Sequence, residues 1–139
     1  MRYRIIWVML LLAIVAVFSA CGGKYSDAIE VNKKFADATE SYVETLAEAD
    51  SASTVADAVN AYAAKIEKLA PQMKQMVKKY PELKDQTNMP DELKESRERS
   101  EALGEKMTGA MMKSLQYMGD PEVMKAQERL QKSMMLMAQ

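Results

Sequence analysis

Eight apolar residues, Val55, Val59, Tyr62, Ile66, Leu69, Met73, Met76 and Tyr80, recur at steps of three and four through the middle of the chain. Only an α-helix gathers such a spacing on one side, because it turns about 100° per residue. A stripe that long must be covered by other elements, which commits the chain to helix packing rather than to a sheet. Composition agrees. After the first twenty residues Ala, Glu, Lys, Met and Leu dominate, and Ile occurs only at Ile29 and Ile66, a choice of residues that favours helix over strand.

Three further stripes flank this one. Ala28, Val31, Phe35, Ala38, Tyr42, Leu46 and Ala49 predict a helix from about Ser26 to Ala49, interrupted by Asp50-Ser51-Ala52-Ser53. The central helix follows, with Thr54 and Asp57 at the spacing of a capping box. Pro71 falls inside it and predicts a kink or a break, since proline removes a donor and clashes with the preceding turn. A polar connection through Asn88 leads to Pro90, Asp91 and Glu92 as the first turn of a third helix. That helix is expected to turn Leu93, Ser100, Leu103, Met107, Met111, Leu115 and Met118 inward. Gly104 and Gly109 weaken it or admit a close neighbour. Gly119-Asp120-Pro121-Glu122 reads as stop, cap and start, and the fourth helix is expected to bury Val123, Gln127, Leu130, Met134 and Met137. No repeat period is visible. The expected fold is all-α, an antiparallel bundle of three to four helices over residues 26–139.

The first twenty residues read differently. Arg2 and Arg4 precede an uncharged run of sixteen residues, Ile5 to Ala20, too short for the roughly 20 residues of a comfortable membrane span and typical of a cleaved signal peptide. Bulky Phe18 does not suit the small-residue site of ordinary signal peptidase. Phe18-Ser19-Ala20-Cys21 resembles the lipobox of bacterial lipoproteins. The resemblance implies cleavage before Cys21, acylation of that cysteine, and a short tether over residues 21–25. It also implies a place in the cell envelope. Gly22 stands where lipoproteins kept at the enterobacterial inner membrane typically have Asp, so the expected address is the outer membrane, facing the periplasm. Cys21 is the only cysteine, so no intramolecular disulfide is possible and stability must come from packing.

Charge and chemistry narrow the function. Removing Arg2 and Arg4 leaves 17 basic residues against 20 acidic, a net charge of −3, without the clustered basic excess of a nucleic-acid binder. The chain has no histidine, which removes the usual general base and the commonest zinc ligand. No Gly-rich phosphate loop is present. Glu92, Glu95, Glu98 and Glu101 alternate with Lys94, Arg97 and Arg99 and read as a solvated, ion-paired face rather than a catalytic one. Lys74, Lys78 and Lys79 read as complements to a helix C-terminus rather than an anion site. Tyr62 and Tyr80 are expected in the core with polar tips at the surface. An enzyme is not expected, and neither is a cofactor beyond the covalent lipid on Cys21.

Methionine is the compositional oddity. Eleven of the 119 residues after Ala20 are Met, eight of them from Met107 onward. Most fit the inward stripes, where flexible thioethers fill gaps. The run Met134-Met135-Leu136-Met137-Ala138, however, is apolar all round the helix, and a monomer cannot bury every side of it. Met124, Met135 and Leu136 are therefore the candidate partner-binding residues of a non-catalytic binding or structural module, with an envelope protein as the expected partner. The alternative is a periplasmic Cu(I) buffer whose thioether ligands come from Met107, Met111, Met112, Met134 and Met137.

Overall fold

A computed structural model describes residues 23–84 and 90–138, and they form an all-α helical bundle. Among these residues lie four α-helices: α1 (Ser26–Glu48), α2 (Ala52–Lys79), α3 (Lys94–Leu115) and α4 (Pro121–Ala138). Short 3-10 turns at Pro81–Lys84 and Asp91–Leu93 stand between α2 and α3. The signal segment, the lipobox-like residues and Cys21 lie outside the described residues.

Helix α2 starts at a reciprocal cap. Ser51 is extended, its hydroxyl accepts from the Thr54 amide, and the Thr54 hydroxyl accepts from the Ser51 amide. The box is thus Ser51 with Thr54, three residues earlier than the expected Thr54 with Asp57. Ser51 wins because a cap needs non-helical backbone, whereas Thr54 already lies within the first turn. The helix runs unbroken through Pro71. Proline leaves the Glu67 carbonyl without its intrahelical donor, but packing on both sides holds the register. Leu69 and Ala70 are buried before it, Met73 and Met76 are half-buried after it, and Tyr80 is buried at the end.

Cross-helix contacts fix the directions. Tyr62 meets Thr39 at 3.0 Å, Lys65 donates to Ser41, and Tyr80 reaches Lys24 and Asp27, so α1 and α2 are antiparallel. Arg99 pairs with Asp37 and Glu40, and Lys113 donates to the Ala47 carbonyl, so α3 runs parallel to α1. Arg129 and Ser133 reach Glu67, while Val123 shares a core with Val55 and Val59, so α4 runs parallel to α2. Successive helices alternate in direction. In space, however, α3 lies on α1 and α4 lies on α2, and the consecutive pair α3 and α4 makes no comparably extensive contact.

The main core is built where α1, α2 and α4 meet. Leu46, Val55, Val59, Ile66 and Val123 are fully buried, each contributing on the order of 1.5–3 kcal/mol by transfer from water. Tyr42 and Tyr62 stack within it, with centroids 4.5 Å apart. A smaller core of Tyr25, Ala28, Tyr80 and Leu93 closes the opposite end, where Lys79 pairs with Asp27 and Lys24 with Glu82.

Several expectations for α3 and α4 are corrected. Ser100, Met111, Leu115 and Met118 are exposed rather than inward; Leu103, Ala110 and Ser114 are the buried face of α3. On α4, Val123 is buried as expected, but Met134 is exposed and Ala126 and Ser133 are buried instead. Small side chains let α4 approach α2 closely, which turns the larger Met134 aside. Gly104 and Gly109 mark no close approach, since a Cβ at either would meet nothing within 4 Å. Gly119 has no positive φ; the stop is a run of turns, after which the Asp120 carboxylate accepts from the Glu122 amide as expected of a cap. The Tyr62 hydroxyl is buried, not at the surface.

Candidate functional site

Helices α3 and α4 do not cover each other, and an apolar recess of about 210 Å³ lies in the gap between them. Phe35, Ala36 and Thr39 of α1 and Tyr62 of α2 make its floor. Ser100, Leu103, Gly104 and Met107 of α3 form one wall, and Met134 of α4 the other.

The floor holds a self-contained pair of hydroxyls. Thr39 Oγ1 donates to the Phe35 carbonyl one turn back, at 2.9 Å. Its only proton is then spent, so the 3.0 Å bond to Tyr62 must be donated by the tyrosine. Burial pushes the Tyr62 hydroxyl above its ordinary range and pushes Tyr42 up to about 12, so both rings stay neutral. The floor therefore presents no charge, and among the described residues no buried side-chain polar atom lacks a partner.

Both walls extend beyond the recess as exposed apolar side chains. Met111 (55 % exposed), Leu115 and Met118 continue the α3 wall toward the α3–α4 turn. On α4, Met124 (47 %) and Met135 (53 %) are eleven residues apart, about three helical turns, and share one exposed side about a quarter turn from Met134. Leu136, also exposed, lies on the opposite flank, beyond Arg129. Of the α4 methionines, Met134 lines the recess; the candidate partner residues Met124 and Met135 share an exposed side next to it, and Leu136 lies apart from them. The flank it occupies is anchored by a fork: Arg129 donates twice to Glu67, which Ser133 also reaches, and these bonds hold the Glu67 carboxyl below its usual range.

Of the candidate soft-metal ligands, Met107 and Met134 line the recess from opposite walls, Met137 is half-buried against the main core, and Met111 and Met112 are exposed. Two facing thioethers with no thiolate or imidazole are a lean set for Cu(I). Among the described residues no cluster of three or more Cys, Asp or Glu is placed to hold a metal ion.

The charged groups are engaged with one another. Arg97 pairs with Glu101 on the surface of α3. Arg99 instead crosses to Asp37 and Glu40 of α1, a tie that no spacing within α3 announced. Lys79 bonds Asp27 at 2.6 Å and, with the Tyr80 hydroxyl, holds its carboxyl down at about 2. This pair and the adjacent Glu30–Lys34 pair line a polar groove of about 400 Å³ between α1 and α2. Among the described residues no helix is long and apolar enough to cross a membrane.

The recess and the Thr39–Tyr62 bond were missed from sequence, because both depend on which helices become neighbours. No family model matches the chain, and no curated protein or solved structure does either.

Proposed function

We propose that this chain is a lipid-anchored protein of the bacterial cell envelope that acts as a non-catalytic binding module, with its partner surface along the gap between α3 and α4. One observation carries the binding role. Of the nine large apolar side chains exposed among the described residues, all but Val77 belong to α3, α4 or the turn between them. Exposed apolar side chains are ordinary when scattered; concentrated on two helices that flank an apolar recess, they fit a surface meant to be covered. Methionine suits that task, since its unbranched thioether adapts to the shape of whatever docks. The anchor rests on the basic start, the short apolar run and the lipobox-like residues before Cys21. Multiple acyl chains would hold the protein firmly, where a single one holds only marginally.

Two measurements test this reading. The intact mass of the protein from a bacterial envelope fraction should include acyl chains that Cys21→Ala removes; an unmodified mass refutes the anchor. A photo-reactive residue at position 135 should give a discrete protein adduct in the cell that one at exposed Lys132 does not; no adduct above the Lys132 control refutes the surface.

A second reading is supported by Met107 and Met134 facing each other across the recess. As a Cu(I) buffer, the protein would bind about one equivalent through thioethers. Met107→Leu with Met134→Leu should abolish that binding without loss of helix, and a titration showing no retention of Cu(I) refutes it.

A further inference from the structure

From Ser100 to Met118 and from Met124 to Met135 the strip bordering the gap carries no charge of its own; Arg97 stands in line with it at the start of α3 and Glu128 borders Met135 on α4. On α3 it runs Ser100, Gly104, Met107, Met111, Leu115 and Met118, at steps of three and four. On α4 it runs Met124, Gln127, Gln131, Met134 and Met135. Glu101, Lys106 and Lys132 belong to the outer faces of the same helices. Its apolar middle offers no hold to an anionic head group or a nucleic acid. This middle also brings no like charges together where it meets its own copy.

Area and direction point the same way. The exposed parts of the six Met and Leu side chains from Met111 to Met135 on this strip amount to roughly 500 Å² of the about 800 Å² per partner that a standard interface buries. That leaves about a third for a polar rim, as interface cores of this kind have. Because α3 and α4 run in opposite directions, a two-fold axis parallel to the bundle lays α3 of one copy antiparallel against α4 of the other. Each apolar row then meets an apolar row.

We infer that the occupant of the gap is a second copy of this chain, in a two-fold dimer joined edge to edge through α3 and α4. This rests on the binding-module reading and names its partner. The same axis leaves the Lys24 ends of both copies at one end of the dimer, as two chains anchored in one membrane require.

The test uses the full chain in two differently tagged forms, coexpressed in a bacterium and extracted in mild detergent. The two forms should co-purify. Met111→Glu with Met135→Glu should lower the co-purified copy at least tenfold, and Met135→Glu alone should lower it measurably. Lys68→Glu, on the far side of α2, should leave it unchanged. Circular dichroism on each variant separates loss of pairing from loss of fold. A photo-reactive residue at 135 should give an adduct of twice the mass of the chain. Absence of co-purification, or co-purification that survives the Glu pair, overturns the dimer. An adduct at 135 to a protein of another mass also overturns it while sustaining the binding-module reading, and no adduct at all ends both.

Discussion

Removing the two hydroxyls beneath the recess should have unequal effects. In Tyr62→Phe the Thr39 hydroxyl keeps its donation to the Phe35 carbonyl and loses only a bond that it accepts, a change worth about 1 kcal/mol. In Thr39→Val the Tyr62 proton is left in a buried site with no acceptor, and desolvation without compensation costs about 2 kcal/mol. The double variant leaves no polar group to satisfy and should lose about 1 kcal/mol, well short of the roughly 3 kcal/mol sum of the singles. For a domain of this size, 1 kcal/mol corresponds to about 3–6 °C in the melting temperature. Urea unfolding followed by helix circular dichroism on the four proteins reads all three numbers. The proton assignment is refuted if Tyr62→Phe costs as much as Thr39→Val, and the pairing is refuted if the two changes are additive.

Other consequences are simpler to measure. Gly109→Ala, at an exposed helical site with open space for a Cβ, should stabilise by about 0.5–1 kcal/mol, and a lower melting temperature would contradict the geometry. Asp27 has a folded pKa of about 2, below its unfolded value near 3.9, so its contribution is complete above about pH 4 and is lost as pH falls toward 2. Asp27→Asn should therefore flatten the acid limb of the stability profile, and an unchanged limb would refute that. Tyr42 titrates near 12 when folded against about 10 when unfolded, so its contribution is complete below pH 10 and lost between 10 and 12. Unfolding midpoints across that window should fall less steeply for Tyr42→Phe.

The stripe on α2 was legible because every position of it is covered: α1 lies on one side and α4 on the other, and Val55 through Tyr80 are all buried or half-buried. The same pattern on α3 misled at Met111, Leu115 and Met118. An apolar stripe records which side chains avoid water, and α3 has a neighbour along one side only, so half its stripe has nothing against it. On α4 the error came from size. Hydropathy ranks Met134 above Ser133, yet close packing against α2 selects the small residue, whose single hydroxyl proton is shared between the Glu67 carboxylate and the Arg129 carbonyl. Met135 and Leu136 were marked as partner residues because the run from Met134 to Ala138 is apolar on every side; that Met134 lines a recess needed the position of α3.

The smaller core at the Tyr25 end contains side chains of α1, of the residue that caps α2 and of the turn before α3, but none of α4. Its interhelix ties are the Tyr25–Tyr80 ring contact, the bonds of the Tyr80 hydroxyl to Lys24 and Asp27, and exposed ion pairs, whereas the main core carries the larger fully buried aliphatic residues. Opening this end therefore uncovers little apolar surface and leaves the larger cluster intact. In deuterium exchange, the amides of Ile29 and Tyr80, bonded to the Tyr25 and Met76 carbonyls, should label through a sub-global opening while those around Ile66 wait for whole-domain unfolding. The end nearest the tether would then be the part of the molecule that breathes.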